Sequence, residues 1–246
     1  MITKSEIKYI QSLAHKKFRE QEGCFVVEGL KMVTELITQF PHLAVKVYIT
    51  ANGISQLGNI LPKNINCIEV EEHELMKLSF LTTHQQILAL VKLPQFNNSN
   101  LSAAGLTLIL DQIQDPGNLG TIIRTCDWFG VSNIVCSPDT ADAYSPKVVQ
   151  SSMGSVLRVN IQYADLQVYL EGLHDIPVYA ASLKGESILK LNFEFPSCLI
   201  IGNESKGISA SLLEKANKFI SIPKIGEAES LNAAVATGIL LSKLLV

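Results

Sequence analysis

Apolar residues recur along the chain in two patterns, short continuous runs and longer stretches at helical spacing. FVV at 25–27, VKVYIT at 45–50, NCIEV at 66–70 and QQILALVKL at 85–93 read as strands, with helices expected at 30–40 and, acidic in character, at 71–79. Residues 4–19 place Ile7, Ile10, Leu13, Ala14 and Phe18 on one face with lysines opposite, so one continuous helix is expected there. Residues 94–105, PQFNNSNLSAAG, are polar and small and have a linker's composition. Beyond them strands are expected at 106–110 and 133–136, and in PVYAASL, SCLIIGN (197–203) and FISIP (219–223), with helices at 119–129, after Ser145, at 165–174 and at the carboxyl end. Such alternation implies a parallel sheet covered by helices. The expected fold is therefore α/β in two domains, 1–98 and 99–246, the second with a predominantly parallel sheet.

Polar residues gather where strands hand over to helices, the usual ligand position in a parallel α/β sheet. In LILDQIQDPGNLGTIIRTCDWFG (108–130), Asp115, Pro116 and Gly117 break the chain, Asn118 is the expected N-cap, and Ile122, Ile123, Cys126 and Phe129 form the buried face, which leaves Arg124 as the helix's cation. LIIGNESKGIS (199–209) delivers Glu204 between Gly202 and Gly207 at another strand end. ISIPKIGEAESLNAAVATGILLSKLLV ends in a helix for which Ser230 is the expected cap, with a small-residue stripe of Leu231, Ala234, Val235, Gly238, Ser242 and Leu245 suited to close packing, within the chain or against a second copy. Singly, each feature has a plain structural reading: Asn118 as a cap, Arg124 as a solvated charge.

Composition narrows the class. A hydrophobic share of 47% supports filled cores. No apolar run is long enough to span a membrane, and MITKSEIKYIQS lacks a signal-peptide core, so a cytoplasmic protein is expected. Five cysteines without a CxxC pair suggest reduced thiols rather than disulfides or a metal site. Residues 1–98 hold ten Lys and Arg against nine Asp and Glu, a net +1, and the remainder ten against fourteen, a net −4. Charge by itself gives no argument for nucleic acid.

The three polar stretches together resemble the signatures of the SpoU-type RNA ribose 2'-O-methyltransferases of the SPOUT superfamily. The first matches at Asn118, Gly120, Arg124, Phe129 and Gly130, with Cys126 in place of the usual alanine. The second matches at Gly202, Glu204, Gly207, Ile208 and Ser209, and the third at Ile222, Pro223, Gly226, Ser230, Leu231, Asn232 and Ala236, with Lys224 where an apolar residue is common. FVVEGLKMVTELI and THQQILALVKLP look like the beginning and end of the substrate-binding domain that precedes many such catalytic domains, with Gln86 where glycine is frequent.

This resemblance implies a carboxyl-terminal trefoil knot, S-adenosylmethionine as methyl donor and no metal. It implies cofactor contacts through the backbone of Gly202, Ile222 and Leu231, and catalytic roles for Arg124, Asn118, Glu204, Ser230 and Asn232. Glu204 is expected to fix Arg124 or its loop. The implied partners are RNA, ribosomal in preference to transfer RNA, and a second copy of the chain; neither DNA nor a membrane is implied. A non-catalytic RNA-binding protein on the same fold and a small-molecule α/β enzyme are the rival classes. Absence of cofactor binding would favour the former, and the amino-terminal domain argues against the latter.

Overall fold

A computed structural model describes residues 2–61, 65–83, 85–96 and 105–246, so residues 97–104 of the expected linker lie outside the described residues. In chain order the elements begin α1 (Lys4–Ser12), α2 (Lys16–Glu22), β1 (Cys24–Glu28), α3 (Leu30–Gln39), β2 (Ala44–Ile49), α4 (Ala51–Leu57), β3 (Cys67–Glu69), α5 (Glu72–Leu78) and β4 (Ile87–Lys92). They continue β5 (Leu106–Leu110), α6 (Pro116–Trp128), β6 (Asn133–Cys136), α7 (Pro146–Ser152), β7 (Asn160–Tyr163), α8 (Leu166–Glu171), β8 (Val178–Ser187), β9 (Ser197–Ile201), α9 (Ala210–Leu213), β10 (Lys218–Ser221) and α10 (Ala233–Leu245). One compact unit comprises Met1–Gln95 with Tyr144–Leu157, and the other Phe96–Ala143 with Arg158–Val246. The segment 144–157, assigned by the expected boundary to the second domain, thus packs with the first.

The first unit is a four-stranded sheet ordered β1-β4-β2-β3, antiparallel except where β2 meets β3. All five residues of β1 are buried, and the Tyr144 ring lies against Phe25 with centroids 5.0 Å apart. The single helix expected over 4–19 is two. Arg19, only 3% exposed, donates from Nη1 to the Leu13 carbonyl at 2.6 Å and staples the turn between α1 and α2. That turn breaks the 3.6-residue period, so Ala14 and Phe18, expected on the buried face, are exposed. Glu28, at the end of β1, is also buried, and its carboxylate accepts hydrogen bonds from Ser79 Oγ and Phe80 N–H.

The second unit is a six-stranded, wholly parallel sheet ordered β10-β8-β9-β5-β6-β7. From β5 the chain builds outward through β6 to β7, then crosses to fill the other side with β8, β9 and β10. The order therefore reverses beside β5, between its neighbours β6 and β9, and a crevice at a topological switch point is where open α/β sheets bind ligands. Both β5 and β9 are buried along their length, as their continuous apolar runs require. The register between β8 and β10 jumps from Ala180↔Phe219 to Glu186↔Ile220, and at Gly185 a Cβ would lie 2.4 Å from the Ile220 nitrogen, so only glycine fits that approach.

Candidate active site

Pro116 starts α6 and Asp115 caps it, its carboxylate accepting from Asn118 N–H at 2.8 Å. This corrects the expectation that Asn118 is the cap. An Asp-Pro pair supplies both a cap and a preset φ at the first helical position, so the helix begins three residues earlier. The shift places Asn118 inside the first turn with its side chain free to reach outward. Its Nδ2 donates to Glu204 Oε1, and its Oδ1 accepts from Asn232 Nδ2 at 2.9 Å.

Asn232, not Ser230, caps α10. Its Oδ1 accepts from Ala234 N–H at 3.0 Å and Val235 N–H at 3.2 Å. The structure thus brings together Asn118, Glu204 and Asn232, one from each polar stretch. Ser230 is exposed and Arg124 stands exposed on α6; neither side chain has a hydrogen bond or ion pair among the described residues. Of the two expected roles for Glu204, fixing Arg124 or fixing its loop, the contact is of the second kind: Glu204 is held to Asn118 in the first turn of the helix that carries Arg124, and no bond joins it to Arg124 itself among the described residues.

The loop bearing Glu204 is braced at both ends against the end of β5. Asp111, 4% exposed, accepts from Ser209 N–H at 2.7 Å, while Asn203 Nδ2 donates to the Gln112 carbonyl at 2.9 Å. Asn203 Oδ1 turns the loop by accepting from the N–H groups of Ser205 and Lys206, and Asn203 and Gly207 pair through their backbones. On the other side, Ser137 Oγ accepts from Gln112 N–H at 2.9 Å and bonds to Thr140 Oγ1 at 3.0 Å. Gln112 itself has φ 56°, a left-handed conformation that costs a non-glycine residue roughly 1–2 kcal/mol. Sequence reasoning missed Asp111, Gln112 and Asn203. Their position at the ends of β5 and β9 was the available signal.

At Gly202 a Cβ would lie 2.4 Å from the Gly207 carbonyl carbon, so this position is fixed as glycine by the loop's own backbone. Ile222 and Leu231 bound a stretch between β10 and α10 whose backbone N–H groups make no hydrogen bond among the described residues. Those groups fit a cofactor held through main-chain contacts. A shallow hollow of about 310 Å³, lined by Gly105, Leu106, Phe129, Gly130, Val131 and Leu244, lies at the opposite, amino ends of β5 and β6, away from Asn118.

The stripe on α10 divides. Ala234 is buried and Gly238 faces Thr125 of α6, where an added Cβ would come within 3.9 Å of Thr125 Cγ2, whereas Val235 stays exposed at 51%, as does Ile239, which lies outside the stripe, at 39%. The five cysteines are free thiols, four of them buried, and burial pushes the thiols of Cys126, Cys136 and Cys198 far up.

A parallel sheet with polar side chains from three connecting segments gathered beside its switch point defines an α/β protein with a ligand site at that place. Residues 105–242 match the SpoU rRNA Methylase family and residues 4–89 the MRM3-like substrate binding domain, and the chain belongs to the SpoU methylase family. It is 32% identical over 238 residues to the Bacillus subtilis 23S rRNA (guanosine(2553)-2'-O)-methyltransferase RlmP, covering 96% of this chain and 94% of the relative. A 23S rRNA (guanosine-2'-O-)-methyltransferase RlmB from Blochmanniella floridana is 31% identical over 234 residues, 88% of this chain and 92% of that one. Among solved structures, a putative RNA methyltransferase of the TrmH family from Porphyromonas gingivalis superposes with TM-score 0.86 at 35% identity, covering 99% of this chain and 98% of that one. An AdoMet-bound rRNA methyltransferase from Sinorhizobium meliloti gives TM-score 0.84 at 27% identity, with 99% and 95% covered.

Proposed function

We infer that this chain is an S-adenosylmethionine-dependent enzyme that methylates a ribose 2'-hydroxyl in ribosomal RNA. The observation that carries the reading is the Asn118–Glu204–Asn232 contact at the switch point of the sheet, in a chain that matches the SpoU family across all three contributing stretches. Ribosomal RNA is favoured over transfer RNA by the substrates named in the similar RlmP and RlmB proteins.

The cofactor, when bound, supplies an electrophilic methyl group, and the unengaged backbone around Ile222 and Leu231, with Gly202, would hold it. Transfer of that group to a ribose hydroxyl would require the chain to hold the nucleotide and the methyl donor in fixed alignment. The hydroxyl must also shed its proton or have its developing charge stabilised. A guanidinium stays protonated at neutral pH, so Arg124 grips the nucleotide's phosphate and offsets charge on the oxygen. Asn118, oriented by Glu204 and Asn232, sets the geometry of the site, and Ser230 offers a hydroxyl to the nucleotide.

The carboxyl-terminal segment forms the trefoil knot of the family, and the molecule works as a homodimer. Exposed Val235 and Ile239 on α10, with Trp128 at the end of α6 84% exposed, support a second copy covering that face. The first unit binds RNA. A cytoplasmic enzyme is in keeping with the finding that no helix among the described residues is long and apolar enough to cross a membrane. Ribose-methylation mapping of ribosomal RNA from cells with and without the protein tests the function: one 2'-O-methyl position should vanish, and an unchanged map would reject the reading.

A further inference from the structure

Gln112 combines a fixed backbone with a side chain that the fold does not use. We propose that its amide hydrogen-bonds a base edge of the target nucleotide, an assignment that rests on the RNA methyltransferase reading above. Both backbone polar groups of Gln112 are engaged, the N–H with Ser137 Oγ and the carbonyl with Asn203 Nδ2, each at 2.9 Å. These braces lock the residue at the carboxyl end of β5, between the loops that follow β6 and β9. Its φ of 56° is one that glycine adopts without strain, and a glycine would brace the same loops through the same backbone atoms. The chain instead carries a long amide there, half-buried and without a hydrogen bond among the described residues. Strain retained where bracing does not need it points to use of the side chain.

The ligand's chemistry follows from the group. A primary amide presents a donor and an acceptor side by side, as a base edge requires of its reader. A phosphate offers only acceptors, whereas the adenine edge of the cofactor offers both, so position and the cofactor-affinity measurement below separate the nucleotide from the cofactor. The backbone positions assigned to the cofactor, Gly202, Ile222 and Leu231, follow β9 and β10, whereas Gln112 is braced toward Ser137 after β6.

The test compares Gln112→Gly, which removes both strain and amide, with Gln112→Met, which keeps the length and the backbone conformation but cannot form the pair of hydrogen bonds. Methylation is followed on deproteinised ribosomal RNA from cells lacking the protein, with labelled S-adenosylmethionine, and cofactor affinity is measured by calorimetry. Both variants are expected to fold and to bind the cofactor as the natural chain does, with KM for RNA raised on the order of tenfold and kcat nearly unchanged. An unchanged KM in Gln112→Met overturns the assignment. So does an equal loss of cofactor affinity, or a fall in kcat alone, which would make Gln112 only a brace. No methyl transfer by the natural chain would instead overturn the activity itself, and this assignment with it.

Discussion

The Asn232 amide nitrogen donates to Asn118 Oδ1 at 2.9 Å across 114 residues of chain, while the amide oxygen of the same side chain takes the first N–H groups of α10. Because a helix start offers only donors, Asn232 can turn only its nitrogen toward Asn118. Asn118 must then meet it with oxygen and present nitrogen to Glu204. The polarity of the whole relay is set by the start of α10. Asn232→Asp keeps the cap but opposes two oxygens at Asn118. It should leave the thermal midpoint close to that of the natural chain while lowering single-turnover methylation on the order of 100-fold. Equal losses of stability and rate would make Asn232 a cap and nothing more.

Arg124→Ala should lower methyl transfer by roughly 100- to 1000-fold with cofactor affinity retained, since the cofactor positions proposed lie late in the chain. Arg124→Lys should recover little, because an ammonium cannot reproduce a planar two-point grip on phosphate. Single-turnover rates with parallel cofactor titration decide it: a near-normal rate in Arg124→Ala removes the residue from the mechanism.

Asp111 is buried and takes Ser209 N–H, fixing the far end of the Glu204 loop. Asp111→Ala leaves that N–H without its acceptor and should cost about 1–3 kcal/mol of stability. Asp111→Asn retains an acceptor and should restore both stability and kcat. Urea unfolding and kcat measured together would expose a failure, namely an Asn variant as damaged as Ala.

The truncation that sequence alone recommends, starting at residue 99, should not give a well-packed domain. It removes Phe25 from Tyr144 and strips β1 from the buried Val148 and Val149 of α7. Binding of a hydrophobic dye and rapid proteolysis within 144–157 are expected, and a compact, protease-resistant product would refute this. The strands were legible because buried parallel strands must be apolar throughout, as β5 and β9 are. Periodicity is blind to what packs on what, so it could not reveal that α7 joins the first unit. The break after Leu13 was hidden because it depends on Arg19 reaching a carbonyl, a contact that leaves no local pattern. At the site, residue types were readable, but the caps were misplaced by two or three positions: Asp115 and Asn232 do what Asn118 and Ser230 were expected to do.

Burial raises the Glu28 carboxyl above its ordinary range, against the lowering by its bonds from Ser79 and Phe80. The folded chain then holds this proton more tightly than the unfolded one, so the group's contribution to stability is lost as pH rises from the ordinary carboxylate range through the raised value. Glu28→Gln can still accept from Phe80 N–H and donate to Ser79. It should be more stable than the natural chain at neutral pH, with the difference closing toward mild acid. Thermal melts across pH would contradict this if the gap stayed constant or widened in acid.

The separation between Asn118 and Asn232 also sets a clock. At translation speeds of roughly 5–20 residues per second, Asn118 waits several seconds or longer before its partner is made. Until then the Asn118 oxygen lacks the Asn232 amide, and in a chain cut short before Asn232 nothing fixes which end of the Asn118 amide faces Glu204. A polypeptide released early from the ribosome should therefore lack the ordered site, and methylating competence should arrive in a single late step.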